Sequence, residues 1–143
     1  MATDTLYSDT PAVDDGSTAA QFFIGRKSHF RAVCPLGPSD KHFPEALLDH
    51  IWKYSAMEQL ISDNAQAEVS AHVKETIWTL LIGDHQSEPH NKNQQFSKRG
   101  WKDTKTRVNN LLNFSSAPDK VWLLALAHIC FIQNHTAYWS LNG

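Results

Sequence analysis

Three short segments rich in β-branched and aromatic residues fall within the first 34 positions, and they constrain the architecture more than any other feature. Thr3–Ser8, Ala20–Ile24 and His29–Cys34 each read as a strand. Asp9 to Ser17 is a polar connection with strong turn chemistry, and Gly25-Arg26-Lys27-Ser28 is short enough for a hairpin. Pro35 to Asp40 reads as a loop. A helix then begins in Phe43–Trp52, where Phe43, Leu47, Leu48, Ile51 and Trp52 are predicted to share one face.

The next stretch is the apolar pair Leu60-Ile61, which stops at Ser62-Asp63-Asn64 just before a helical pattern over about Ala65 to Leu80. Val69, Val73 and Ile77 recur there at four-residue intervals. Leu81-Ile82 has the makings of a short fifth strand. Asp84 to Phe96 is polar and reads as a mobile loop. A helix returns from about Ser97 to Asn113, with Trp101, Thr104, Val108, Leu111 and Leu112 inward. Ser116-Ala117-Pro118-Asp119 opens a last helix, apolar nearly all round through Phe131 and therefore expected to be well buried. The order βββαβα, then a short strand and two helices, predicts an α/β fold of the RNase H-like kind, with a mixed five-stranded sheet flanked by helices. It occupies residues 1–143 as one domain. The chain stops soon after that helix, and its C-terminal end reads as truncated.

Composition narrows the function. At 143 residues the chain has room for one real core, and 41% hydrophobic with 20% charged content is ordinary for a globular protein. The net charge of −2 means that any nucleic-acid surface is local. Cys34 and Cys130 are far apart, form no CxxC, and read as buried thiols of a reducing compartment. The eight histidines show no zinc spacing with them. No signal peptide is visible, and Val121–Ile132 is too short to span a bilayer, so an intracellular protein without membrane contact is expected. A Gly-rich phosphate loop and a Gly-x-Ser-x-Gly elbow are both missing, which sets aside kinases and serine hydrolases.

In the expected fold, Asp4 in the middle of the first strand can face Asp63 at the tip of the fourth. Two convergent carboxylates repel unless a divalent cation lies between them, and such hard oxygen ligands suit Mg²⁺ or Mn²⁺. The plainer alternative is that Asp63 or Asn64 caps the following helix, with Gln66 closing a loose capping box. Lys92, Lys98, Arg99, Lys102, Lys105 and Arg107 give six positive charges in sixteen residues, against the single Asp103. Lys98, Lys102 and Lys105 recur at i, i+4 and i+7 as one stripe. A solvated helix face and a contact to phosphate backbone are both open readings of that stripe. Asn64 and His90 are second candidates: Asn64 could orient Asp63 or touch DNA instead of capping the helix, and His90 could approach a phosphate or be an exposed loop histidine. The five tryptophans read as core or interface residues.

Thr3-Asp4-Thr5, Ser62-Asp63-Asn64-Ala65 and Glu88-Pro89-His90-Asn91-Lys92-Asn93-Gln94 resemble the catalytic core of integrases from copia-type LTR retrotransposons, and more distantly of retroviral integrases. Trp101-Lys102-Asp103-Thr104-Lys105 and Asn134-His135-Thr136-Ala137 strengthen the resemblance, which runs from about Thr3 to Leu141. It implies metal-dependent 3′-end processing and strand transfer on DNA, a nuclear site of action in a eukaryotic host, and assembly into homo-oligomers. It also implies a metal site of two aspartates, carried over onto Asp4 and Asp63, and one glutamate at the start of the helix after the polar loop. That third position, 35 residues after Asp63, is Lys98. An ammonium there repels Mg²⁺, which implies a weak or inactive centre. Asp103 is five residues further on, and at 100° per residue it points away from position 98. A non-catalytic nucleic-acid or partner-binding module and an RNase H-type nuclease remain open as other readings.

Overall fold

Among the described residues five strands, β1 (Ala2–Tyr7), β2 (Ala19–Ile24), β3 (Arg31–Leu36), β4 (Gln59–Ser62) and β5 (Gly83–Gln86), form one mixed sheet in the order β3-β2-β1-β4-β5. The computed structural model describes residues 1–36, 42–62, 71–80, 82–86 and 92–136, with the side chains at 42, 62, 71–72, 84–86 and 92–95 left out of the description. β1, β2 and β3 make an antiparallel meander. β4 lies parallel to β1, and β5 lies parallel to β4. The α-helices among the described residues are α1 (His42–Tyr54) before β4, α2 (Ala71–Thr79) before β5, and α3 (Lys92–Ser115) and α4 (Trp122–His135) after it, the last entered through a short 3₁₀ turn.

Strand alternation divides the core in two. Phe23, Cys34 and Leu60 pack on one face of the sheet with Phe43, Ala46 and Leu47 of α1 and Val73 and Ile77 of α2. Ala2, Leu6, Phe22, Ile24 and Ile61 pack on the other with Val108 of α3 and Leu126, Ile129 and Cys130 of α4. The fold is therefore a three-layer α/β/α domain with a mixed sheet, of the RNase H-like kind. Cys34 and Cys130 are buried in separate layers, so the sheet itself keeps the thiols apart. Burial pushes Cys34 up to about 11, helped by the charge of Asp49, and Cys130 up to about 12.

Several expectations need correction. Pro35 belongs to β3, where it is exposed and pairs with Ala20; an edge strand tolerates a residue without an N–H. The fifth strand is Gly83–Gln86 rather than Leu81-Ile82, and α3 begins at Lys92, so the polar stretch from Asp84 to Phe96 is not one loop. Trp52 is 86% exposed. It lies nine residues from Phe43, half a helical revolution away, so it cannot share that residue's face. Trp78 is likewise exposed, while Trp101 and Trp122 are half-buried and Trp139 lies outside the described residues. Finally, α4 buries only one side. Leu123, Leu126, Ile129 and Cys130 face the sheet, whereas Leu124, Phe131 and Ile132 are exposed.

Candidate nucleic-acid interface

The register of β1 decides which helices its side chains meet. Ala2 and Leu6 are buried in the layer under α3 and α4, and Asp4 lies between them in the same alternation, half-buried. Its partner across the ladder is Phe22, whose ring meets Trp101 of α3 at 5.8 Å. Lys98 is less than one turn before Trp101. The strand pairing and the Phe22–Trp101 contact thus bring Asp4 and the first half of α3 to the same side of the sheet. Gly100 leaves room at this contact, because a Cβ there would meet Ile24 Cδ1 at 2.5 Å and the Ile24 side chain would have to shift.

Lys98, Arg99, Lys102 and Lys105 are all exposed on α3. The ion pairs at the helix's inner edge, Arg31–Asp103 at 3.2 Å and Arg107–Asp103 at 3.3 Å, do not involve them. Asp103 is held from several sides, since Gln133 Nε2 of α4 also donates to its Oδ2 at 3.0 Å. Burial alone would raise the Asp103 carboxyl, but hydrogen bonds from Arg31 and Arg107, together with their charges, outweigh it and hold the group below its ordinary value. Arg31, only 4% exposed, also donates to Thr104 Oγ1 at 3.1 Å. The one carboxylate within the basic run is therefore committed to a structural knot. The stripe Lys98, Lys102, Lys105 presents its charge to solvent.

A cleft of about 210 Å³ opens beside this stripe, between the carboxyl end of β1, α3 and the start of α4. Its walls include Trp101, Trp122 and Leu112, and its rim includes Asp9, Lys105 and Asn109. Trp122 is fixed there by its Nε1, which donates to the carbonyl of Thr10 at 2.8 Å.

Comparison with known proteins gives a likeness in structure alone. Neither a family model nor a curated protein matches the sequence. The catalytic core domain of BIV integrase, in a crystal structure, superimposes with a TM-score of 0.73 at 16% identity, covering 96% of this chain and 84% of that one. The fold is RNase H-like and similar to that of this integrase core. A simian T-cell lymphotropic virus intasome, solved in complex with the PP2A regulatory subunit B56 gamma, matches with a TM-score of 0.70 at 14% identity, over 96% of this chain and 54% of that one.

Within this integrase-core fold, the described part of the expected site is Asp4, Lys98, Arg99, Lys102 and Lys105. Asp63, Asn64 and His90 lie outside the described residues, and of Lys92 only the backbone in the first turn of α3 is described. Among the described residues no cluster of three acids, histidines or cysteines is arranged to hold a metal ion. Residue reasoning missed the cleft and the Arg31–Asp103–Gln133 knot, and no local signal announces either. Both are assembled from segments far apart in the chain, Arg31 with Asp103 and Gln133 in the one and β1 with α3 and α4 in the other. No helix among the described residues is long and apolar enough to cross a membrane.

Proposed function

We propose that this chain is the catalytic-core domain of a retroelement integrase, of the copia type by its motifs, and that it holds retroelement ends and target DNA against α3. The observation that carries the reading is the exposed stripe Lys98, Lys102, Lys105 on the side of the sheet that Asp4 faces. Ammonium groups spaced along one helix face meet successive phosphates, and contacts of that kind position a duplex without reading its sequence. Arg99 and Lys92 of α3, together with Asn64 and His90, would extend the contact.

Asp4 and Asp63 would hold Mg²⁺ or Mn²⁺, and Asp4 fits that task as a half-buried carboxylate at the centre of a rigid strand. Such an ion, when bound, supplies charge stabilisation for in-line phosphoryl transfer. Lys98 stands where the third acidic ligand belongs, and its ammonium weakens the site for a cation. A second reading follows from that residue: a non-catalytic module that keeps the DNA-binding face of the fold and has lost the chemistry.

The test is duplex binding as a function of salt. Each phosphate contact contributes about −0.9 to the slope of log K against log salt. Replacing Lys98, Lys102 and Lys105 together by Gln is expected to flatten the slope by about 2 to 3 units. A slope that the triple variant leaves unchanged would remove α3 from the interface and the proposal with it.

A further inference from the structure

The cleft at the end of β1 lies next to the phosphate-binding stripe and shares a residue with it. Lys105 belongs to both. Asp4 and Leu6 point the same way two residues apart, so the cleft begins about 7 Å along β1 from the Asp4 carboxylate. Spacing of that order is what separates neighbouring nucleotides on one strand.

The chemistry of the walls selects an occupant. Trp101 and Trp122 are both anchored, the first against Phe22 and the second through its hydrogen bond to Thr10. Fixed indoles offer flat apolar surface without having to be ordered first, and every base has a π-face to lay on them. At about 210 Å³ the space is smaller than the roughly 300–1,000 Å³ pockets that take drug-sized ligands, and it suits one ring system. On the rim, the Lys105 ammonium answers a phosphate, while the Asp9 carboxylate and the Asn109 amide can accept from an exocyclic amino group.

We propose that this cleft is a binding site for a single unstacked nucleobase bearing an amino group, with the phosphate of the same nucleotide on Lys105. The inference rests on the reading of α3 as a DNA-binding face and adds a defined subsite to it. Free nucleoside monophosphate and the frayed end of a DNA strand present the same chemistry, and the experiment separates them.

Binding to the full chain is measured by tryptophan fluorescence with 2′-deoxyadenosine 5′-monophosphate, thymidine 5′-monophosphate and 2-deoxyribose 5-phosphate. The adenine nucleotide is expected to bind at least tenfold more tightly than the sugar phosphate, and more tightly than the thymidine nucleotide. Asn109→Phe, placed at the exposed rim, is expected to weaken the adenine nucleotide tenfold or more with its thermal melt unchanged. A duplex with a three-nucleotide single-stranded end is then compared with a blunt one. A preference for the overhang that Asn109→Phe abolishes assigns the site to strand ends, and no preference assigns it to free nucleotide. Equal binding of sugar phosphate and adenine nucleotide overturns the proposal without needing any variant. Should that occur while blunt duplex still binds in a salt-dependent way, the cleft alone fails. Loss of both takes the reading of α3 down as well.

Discussion

Asn134, in the last turn of α4, holds both backbone groups of Arg31, which precedes it by 103 residues: its Nδ2 donates to the Arg31 carbonyl at 2.6 Å, and its Oδ1 accepts from the Arg31 N–H at 2.7 Å. β3 is an edge strand, and at its first residue a side-chain amide takes the place of the missing neighbour. The Asn134-His135-Thr136-Ala137 motif thus contains at least one residue whose work is structural. With about 1 kcal/mol net for each hydrogen bond, Asn134→Ala is expected to cost about 2 kcal/mol in urea unfolding. A loss below about 0.5 kcal/mol would show that the β3 edge does not depend on this clamp.

His50 gives the protein an acid-sensitive point. It is 1% exposed in the layer under α1, stacked on Phe23 at 4.3 Å, and neither ring nitrogen has a partner among the described residues. Burial, and then the Met1 ammonium charge, lower its value from 6.5 to about 4. The folded chain therefore binds the proton less readily than the unfolded one. Stability is unaffected above about pH 6.5 and falls as the pH drops from there towards 4, at up to roughly 1.4 kcal/mol per pH unit. His50→Phe keeps the stacked ring and removes two unsatisfied nitrogens. It is expected to raise stability by about 1 kcal/mol at neutral pH and to flatten the profile between pH 4 and 6.5. An acid limb as steep in the variant as in the wild type would place the sensitivity elsewhere.

Under the proposed function, Lys98 is the residue expected to decide whether the centre is active. Lys98→Glu restores a third carboxylate to the position that the integrase resemblance assigns to one. Thermal melting with and without 10 mM Mg²⁺ or Mn²⁺ should show metal stabilisation in the variant, about 1.4 kcal/mol if the ion is present at roughly ten times its dissociation constant, and little in the wild type. Strand transfer should appear only in the variant. Equal metal shifts and robust wild-type strand transfer would mean that the lysine does not disable the centre.

The outward side of α4 is apolar where an isolated domain would be polar. Leu124 and Phe131 lie on one stripe, at i and i+7, and are 50% and 60% exposed. A second copy of the chain is the expected cover. Phe131→Glu should shift sedimentation from dimer towards monomer with the fold intact, because a charge on an apolar interface must be desolvated. A wild-type chain that sediments as a monomer at high micromolar concentration would refute self-association through this face.

The order of strands and helices was legible because each follows from local composition and periodicity. β-Branched and aromatic content marked β1 to β3, and the apolar pair before Asp63 marked β4. The errors have one cause. Periodicity tells which residues lie in a stripe but not whether a partner covers it, so Trp52 and the outer side of α4 were expected inside and stand outside. Asp103 is the same lesson for charge. It was counted as the lone acid against six cations, and Arg31, 72 residues away, turned it into part of the core edge.

By itself, then, the sequence determined the element order, the three-layer class of fold and the basic stripe on α3, since these depend on neighbours within a few residues. Only the tertiary structure decided that Asn134 seals the β3 edge, that Asp103 is committed to Arg31, and that two tryptophans twenty-one positions apart meet β1 around a cleft. Those contacts join segments whose separation leaves no periodic trace, and they exist only once both layers have closed on the sheet.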